Sequence, residues 1–233
     1  SAKPHGGYTD YHHKMTTYIG IIAGPAQTLD PAASAQTFPV VPTADEEGVH
    51  VYLDTATSRA GIGLLAEKLH GERIAIIGLG GTGSYILDLV AKTPVRAIHL
   101  FDNDVFSQHN AFRSPGAASI DQLRTKPTKV AYLTDLYSAM RRNIVPHEVH
   151  VDESTLHELE EIDFVFLALD DGPSKGAIVT YLEESGIPFI DVGIGVDVRD
   201  SALGGQVRVT TSTPTKRDHV RTRNRIPFDA GSE

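Results

Sequence analysis

From residue 58 to residue 210, short apolar runs alternate along the chain with amphipathic segments. Short apolar runs bounded by glycine or polar residues predict buried strands, and apolar residues at helical spacing predict helices. The predicted strands are 73–77, 97–101, 147–151, 164–169, 187–192 and 206–210, and the predicted helices are a segment between Ser58 and Gly71, then 82–92, 129–142, 155–161 and 173–184. This alternation predicts an α/β fold, with a mostly parallel sheet and helices on both of its faces.

The first 54 residues follow a different pattern. Two short β-like patches, 17–22 and 49–53, flank a segment that carries prolines at positions 25, 31, 39 and 42. Prolines at this density remove backbone donors and interrupt helices. We therefore expect residues 1–54 to form an extended N-terminal arm or linker, or the remainder of an upstream domain, ahead of the α/β domain at 55–233.

The composition narrows the class of protein. Hydrophobic residues make up 40% of the chain and charged residues 22%, which is typical of a globular protein. The formal net charge of -9 argues against a nucleic-acid partner. No apolar run approaches ~20 residues, so we expect no membrane span and no membrane partner. Cysteine is absent, which excludes disulfides and cysteine-based catalysis within these residues and suits a cytoplasmic location.

A glycine-rich loop follows the strand at 73–77 and precedes the helix at 82–92. Residues 78–83 read Gly-Leu-Gly-Gly-Thr-Gly, the Gly-x-Gly-x-x-Gly motif of Rossmann-like folds. There the glycines let the backbone approach a phosphate, and the amino end of the helix attracts it. We therefore predict that Gly78, Gly80, Gly81 and Gly83 bind a nucleotide, with a ligand-free strand–helix turn as the alternative.

Charged residues follow several of the predicted strands. Asp102 ends the second strand, about 20 residues after the last glycine, where an acid holds ribose hydroxyls in dinucleotide folds. By itself Asp102 suggests an NAD-dependent oxidoreductase. Asp104 and Asp170 also map to the carboxyl edge of the sheet, and Arg113 and Lys129 can reach it. Acidic oxygens suit Mg²⁺, and Arg and Lys neutralise a triphosphate, so the set favours a magnesium-bound nucleotide over a nicotinamide.

These motifs jointly resemble the ThiF/MoeB/HesA superfamily of ubiquitin-activating-enzyme-like adenylyltransferases. The matching strings are Ile-Ile-Gly-Leu-Gly-Gly-Thr-Gly-Ser at 76–84, Leu-Phe-Asp-Asn-Asp at 100–104, Asn-x-x-Arg at 110–113, Pro-Thr-Lys-Val at 127–130 and Leu-Asp-Asp at 169–171. The resemblance spans residues 55 to 211, and the N-terminal part is similar to bacterial ThiF-domain proteins encoded beside ubiquitin-like genes. It implies adenylation of a carboxylate, of a ubiquitin-like protein or a small molecule, with ATP and Mg²⁺ used and pyrophosphate released.

The resemblance implies a role for each matching residue. Gly80, Gly81 and Gly83 would cradle the nucleotide, Asp102 would hold the ribose, Asp104 would lie near the phosphates or metal, Asp170 would bind Mg²⁺, and Asn110, Arg113 and Lys129 would contact the triphosphate, with Lys126 as the alternative to Lys129. Arg59, in the string Thr-Ser-Arg-Ala, resembles an arginine that reaches the partner subunit's site. The resemblance therefore implies a homodimer.

Two departures from that family pattern matter. Many members carry Cys-x-x-Cys zinc ligands and a thiol that accepts the activated carboxylate, and neither exists in a chain without cysteine. The chain also ends soon after the sixth predicted strand, where relatives continue with more sheet. An incomplete C-terminal part, an enzyme that makes only the acyl-adenylate, and a non-catalytic dimeric interaction module that binds a nucleotide all stay open.

Overall fold

The computed structural model describes residues 4–36, 40, 48–170, 172–223 and 225–226, apart from the Arg199 side chain. The chain divides into two compact units, Ser1–Val41 and Pro42–Glu233.

The N-terminal unit contains a helix, α1 (Tyr11–Leu29), so the expectation of an extended arm is wrong for these residues, and the β-like patch at 17–22 lies inside the helix. Asp10 starts α1 because its carboxylate accepts the His13 N–H at 2.6 Å. Pro25 lies within α1, where it removes one backbone donor of the helix. The prolines at 39 and 42 lie outside the described residues. Neither α1 nor any other described helix is long and apolar enough to cross a membrane.

The second unit is built around a six-stranded sheet with the order β3-β2-β1-β4-β5-β6. Its strands are β1 (Arg73–Ile77), β2 (Ala97–Phe101), β3 (Ile144–His147), β4 (Phe164–Leu167), β5 (Phe189–Arg199) and β6 (Ala202–Ser212). Its helices are α2 (Ala56–Ala60), α3 (Gly63–Ala66), α4 (Gly81–Val90), α5 (Gln108–Ala111), α6 (Ile120–Thr125), α7 (Lys129–Ser138), α8 (Pro173–Glu184) and α9 (Asp218–Thr222). The first five strands in this order pair in parallel and β6 is antiparallel to β5, which confirms the predicted α/β fold.

Several predicted elements differ from the structure, and one of them, the helix predicted at 155–161, is a 3₁₀ turn at Leu156–Leu159. The helix expected between Ser58 and Gly71 is broken into α2, α3 and a 3₁₀ turn, because Gly61 adopts a left-handed φ of 68° that ends α2. The third strand precedes the predicted 147–151, since β3 pairs with β2 from Ile144 to His147. The patch at 49–53 forms an isolated bridge from His50 to Arg141 rather than a strand.

Strands β5 and β6 are longer than predicted and form a hairpin that projects past the parallel sheet. Asp200 and Ser201 turn the hairpin with positive φ angles of 49° and 62°, as a two-residue type I′ turn requires. Beyond its pairing with β4, which ends at Asp191, β5 pairs with β6 alone among the described strands. One face of this hairpin is apolar and exposed: Ile194, Val196, Val198, Leu203, Val207 and Val209.

Helices cover both faces of the sheet around β1, as predicted. Ile76 belongs to the cluster that contains Leu87 of α4 and Leu133 of α7. Ile77 belongs to the cluster that contains Ile178 of α8 on the opposite face. Successive strand residues point to opposite faces, so β1 serves both clusters and is buried on both sides.

The carboxyl ends of the parallel strands lie level with one another. The last residue of β1, Ile77, pairs with the last residues of β2 and β4, Phe101 and Leu167. Phe101 pairs in turn with His147, and Leu167 pairs with Asp191. The loops that follow these strands therefore leave the sheet at one edge, where a ligand crevice forms in open parallel sheets.

Candidate functional site

The glycine-rich loop connects β1 to α4 at this edge, and its glycines have different roles. Gly78 has a φ of +90°, and a Cβ there would lie 2.6 Å from the Ala168 carbonyl oxygen. A Cβ on Gly83 would overlap the Gly78 carbonyl oxygen. Around Gly80, in contrast, no atom of the described residues, apart from those of its two chain neighbours, lies within 4 Å of the Cβ position. The fold itself therefore requires Gly78 and Gly83, whereas Gly80 leaves open space beside the backbone.

The start of α4 offers backbone donors to a ligand. Gly80 is the N-cap residue and provides no side-chain cap, and the Ser84 N–H bonds to the Gly80 carbonyl oxygen at 3.1 Å. The donors of a first helical turn have no partners within the helix, and the helix dipole favours an anion there. This end of α4, together with the space at Gly80, fits a phosphate group.

Lys129 joins two aspartates beside the glycine loop. Its Nζ lies 2.6 Å from an Asp104 carboxylate oxygen and 3.2 Å from Asp102 Oδ2. Asp102 Oδ2 also accepts the Leu79 N–H at 2.8 Å, and Asp102 Oδ1 accepts the Asp104 N–H at 2.8 Å. Asp102 therefore holds the glycine loop against the end of β2, while the Asp104 side chain is exposed apart from its contact with Lys129.

The start of α7 fixes the position of Lys129. The Thr128 hydroxyl caps α7 by accepting the Ala131 N–H at 3.0 Å, and the Lys129 N–H bonds to the Asp104 carbonyl oxygen at 2.9 Å. Lys126 instead ends α6 with a left-handed φ of 49° and is exposed. Of the two lysines that the sequence left open, Lys129 is the one that the structure places among the carboxylates.

Arg113 and Asn110 follow Asp104 along the same loop. The Arg113 carbonyl oxygen and side-chain Cδ lie 3.4 Å and 3.7 Å from the Cβ position of Gly81, so Arg113 contacts the glycine loop. Asn110 is buried, and its side-chain oxygen accepts the Ser107 N–H at 2.9 Å in a capping box of α5. Asn110 thus shapes the loop that brings Arg113 to the site, and its contact with a triphosphate stays a prediction.

Asp170 and Arg59 are the remaining predicted site residues. Asp170 is exposed three residues after the end of β4, at the same edge as the glycine loop. Arg59 is exposed in α2, and among the described residues no side-chain contact joins it to the glycine loop. The structure thus places Asp170 at the crevice, and the role of Arg59 in a partner's site stays a prediction.

Metal binding was predicted at Asp104 and Asp170. In the part of the chain that the structure describes, no group of three or more His, Asp or Glu side chains could hold a metal ion. Mg²⁺ commonly uses one or two carboxylates together with waters and substrate phosphates. Two exposed carboxylates at the edge of the sheet that carries the glycine loop therefore suit an ion that arrives with a nucleotide.

A pair of histidines supports Asp102 from β2 and β3. The His147 carbonyl oxygen accepts the Asp102 N–H at 3.4 Å. The His147 ring stacks on His99, with His147 Nε2 3.0 Å from His99 Nδ1, and its Nδ1 lies 3.1 Å from a Glu158 carboxylate oxygen. Burial lowers the pKa of both histidines, and the charge of His147 adds to the effect on His99. The lowered pKa values favour the neutral imidazole of both residues, although the Glu158 carboxylate opposes the effect of burial on His147.

Comparison with known families agrees with this geometry. A model of the ThiF family matches residues 55–225, and a model described as a domain of unknown function (DUF6791) matches residues 1–55. The chain belongs to the ThiF family. The resemblance predicted from the motifs is thereby confirmed.

Two named proteins are similar to this chain in sequence. Ubiquitin-like modifier-activating enzyme 5 of Gallus gallus is 24% identical over 165 residues, which are 66% of this chain and 41% of that protein. The tRNA threonylcarbamoyladenosine dehydratase of Escherichia coli (strain K12) is 25% identical over 176 residues, 70% of this chain and 65% of that protein. The chain thus spans about two fifths of the length of the activating enzymes that it matches.

Solved structures show the same fold. The E. coli dehydratase TcdA in complex with AMP matches with a TM-score of 0.53 and 20% identity, over 61% of this chain and 62% of that one. E. coli MccB with ATP matches with a TM-score of 0.53 and 21% identity, over 66% of this chain and 44% of that one. At this identity the likeness establishes the Rossmann-like ThiF fold.

Sequence reasoning missed one charged cluster near the site. Lys175 in the first turn of α8 forms a buried ion pair with Asp191 of β5, which Arg208 of β6 also contacts. One signal was present, because Asp191 interrupts the apolar run at 187–192. A charge within a buried strand indicates a buried partner, but the sequence does not identify that partner.

Proposed function

We propose that this chain transfers the adenylyl group of ATP to a carboxylate, giving an acyl-adenylate and pyrophosphate. The observation that carries the proposal is the position of Lys129 between Asp102 and Asp104, beside the open space at Gly80 and the uncapped end of α4. Membership of the ThiF family and the AMP and ATP complexes of its relatives support the nucleotide.

The reaction needs charge neutralisation more than proton transfer. An oxygen of the ionised substrate carboxylate attacks the α-phosphorus, and the bond from that phosphorus to the pyrophosphate oxygen breaks, so pyrophosphate leaves with the electron pair. Arg113 and Lys129 neutralise the phosphoryl charge as it forms, since preorganised cations act where charge develops. No general base is required because the carboxylate is already ionised at neutral pH.

The other site residues bind and orient the nucleotide. Gly80 and Gly81 receive the phosphates at the start of α4, Asp102 holds the ribose while it anchors Leu79, and Asn110 keeps the Arg113 loop in place. Asp170 and Asp104, together with the phosphates, would hold Mg²⁺, which would supply further neutralisation of the triphosphate. If Lys129 stays bound to Asp102 and Asp104 in the nucleotide complex, Lys126 would contact the phosphates in its place.

A protein that ends in an accessible carboxylate is the substrate we favour. The exposed apolar face of the β5–β6 hairpin continues from the crevice edge at Asp191, and such a face suits a protein partner better than a small molecule. Among the relatives, one is named a ubiquitin-like modifier-activating enzyme, and MccB has been solved with MccA. We therefore expect a ubiquitin-like protein, with a small carboxylate as the alternative substrate.

Carboxylate-dependent exchange of radioactive pyrophosphate into ATP tests the reaction. We expect exchange with a candidate ubiquitin-like protein and ATP, and we expect Asp170→Ala to lower its rate by ~10²–10³, the typical loss for one electrostatic contact in a transition state. Asp121→Ala removes an exposed acid of α6 and serves as the matched control. Exchange at the wild-type rate in Asp170→Ala would remove Asp170 from the site.

The same assay tests the homodimer and Arg59. If Arg59 completes the site of the partner subunit, neither Arg59→Ala nor Asp170→Ala is active alone, but a mixed dimer has one intact site. Because half of the dimers formed from an equal mixture are mixed, exchange should recover to about a quarter of the wild-type rate. No recovery after subunit exchange would mean that Arg59 does not act in trans.

Two alternative functions predict different experimental outcomes. An NAD-dependent oxidoreductase, which the glycine loop and Asp102 also suit, predicts tight NADH binding without ATP binding in a calorimetric titration. A non-catalytic dimeric interaction module predicts ATP binding without exchange for any carboxylate.

A further inference from the structure

A buried charged cluster joins three elements on the α8 face of the sheet. Lys175 Nζ lies 2.8 Å from Asp191 Oδ1, and these two side chains are only 1% and 0% exposed. Arg208 Nη2 lies 3.3 Å from Asp191 Oδ2. The cluster thus links the first turn of α8 to the start of β5 and the middle of β6, with Arg208 partly exposed.

Stability does not explain this cluster. Burying an ion pair costs desolvation energy, and replacing such a pair by apolar residues of similar volume is often neutral or stabilising. Lys175 is also the third residue of the 12-residue α8, where the helix dipole disfavours a cation. Asp191 offsets these two costs in part. Apolar residues of similar volume, Met for Lys175 and Leu for Asp191, would carry neither cost.

The location of the cluster suggests what it does. Asp191 pairs in register with Leu167, the last residue of β4, and Asp170 follows Leu167 by three residues. Lys175 follows Asp170 by five residues along the chain. The ion pair therefore holds the start of α8 against β5 beside the end of β4, and the segment that presents Asp170 connects that end of β4 to α8.

Arg208 extends this connection to the hairpin. It lies opposite Gly193, and a Cβ on Gly193 would be 3.1 Å from Arg208 Nη2, so the missing side chain leaves room for the guanidinium to reach Asp191. The strand that carries the exposed apolar hairpin face is thus tied to the carboxylate that holds Lys175. A displacement of β6 would act on Asp191 directly.

We propose that Lys175, Asp191 and Arg208 are positioning residues for Asp170, and that through it they set the affinity of the site for Mg²⁺ in the nucleotide complex. This inference rests on the proposed function in assigning Mg²⁺ to Asp170. Residues that orient a metal ligand commonly change metal affinity by about 10–100-fold when they are replaced.

The experiment measures ATP binding by calorimetry over a series of Mg²⁺ concentrations and in EDTA. The double variant Lys175→Met/Asp191→Leu removes the buried pair and keeps its volume. We expect its Mg²⁺ midpoint to rise about tenfold or more, with ATP affinity in EDTA unchanged. Lys175→Arg keeps the charge and should keep the wild-type midpoint, and Asp121→Leu/Arg124→Met makes the matched change at an exposed ion pair.

A second variant covers the case in which the double variant does not fold. Arg208→Gln alters the partly exposed end of the cluster and should raise the Mg²⁺ midpoint less, in the same direction. A wild-type midpoint in Arg208→Gln, or in a folded double variant, would overturn the inference. Because the readout is nucleotide binding, a protein that binds ATP with Mg²⁺ but shows no pyrophosphate exchange would refute the adenylation reaction and leave the test of these residues intact.

Discussion

The same substitution, glycine to alanine, should have opposite consequences at two positions three residues apart in the glycine loop. At Gly80, φ is −70° and, in the part of the chain that the structure describes, no atom beyond the two neighbouring residues lies within 4 Å of the Cβ position. Alanine fits there, and the loss of unfolded-chain entropy that favours the folded state, about 0.4–1 kcal/mol, roughly offsets the poorer N-cap. We expect Gly80→Ala to unfold within a few degrees of the wild-type temperature.

Gly83→Ala should instead destabilise the fold. Its Cβ would overlap the Gly78 carbonyl oxygen, so α4 would have to move away from the end of β1. Overpacking of this kind typically costs about 1–3 kcal/mol, and in a protein of this size about 2 kcal/mol corresponds to a fall in Tm of about 4–8 °C.

Nucleotide binding should be affected at Gly80, where the fold is not. If a phosphate approaches the backbone at Gly80, the added methyl group displaces it from a backbone N–H. A hydrogen bond to a charged group is worth about 1.5–3 kcal/mol, which corresponds to ATP binding about 10-fold to 100-fold weaker. Thermal unfolding and ATP calorimetry on both variants provide the comparison. Wild-type ATP affinity in a folded Gly80→Ala would refute the phosphate site at α4, and an unchanged Tm in Gly83→Ala would refute the packing argument.

Two further substitutions probe the neighbouring charges. Lys129→Met should lower pyrophosphate exchange by about 10² or more and also lower Tm, because Asp102 loses its cation, whereas Lys126→Met should change neither; a loss of exchange in Lys126→Met alone would reverse the assignment. Burial lowers the pKa of His99 and His147, so below about pH 6.5 the unfolded chain binds more protons than the folded one and stability falls as the pH falls. Wild-type Tm should therefore drop from pH 7.5 to pH 5.5, and His99→Phe should reduce that drop; an equal drop in His99→Phe would show that other groups titrate.

Much of the site could be predicted because its parts depend on chain position relative to a strand. Gly78 to Gly83 follow β1, Asp102 follows β2, and Asp170 follows β4, and parallel strands bring their carboxyl ends to one edge whatever the details of packing. The sequence did not predict that Asp102 would anchor Leu79 as well as pair with Lys129. Those contacts depend on the path of the loop before α7, which local patterns do not define.

The predictions for the N-terminal helix and for the hairpin were wrong for a different reason. In α1, β-branched and aromatic residues give a local strand signal, and the prolines at 25, 31, 39 and 42 together indicate an extended segment, although of these only Pro25 lies within the helix. Asp10, a good N-cap, was the stronger indication. In the hairpin, Asp200 and Ser201 adopt positive φ, and a turn without Asn-Gly or Asp-Gly gives a weak signal for the long strands on both sides.

The cluster at Asp191 shows where sequence reasoning stops. An aspartate inside an apolar strand implies a partner, since an unpaired buried carboxylate is too costly to keep. Candidate partners were numerous, because any cation on a covering helix or an adjacent strand could reach it. Only the packing of α8 on β5 selects Lys175, and only the antiparallel register of β6 adds Arg208. Both are consequences of tertiary structure, so a positioning role for these residues could be inferred only after the strand ends and the Asp170 segment had been placed together.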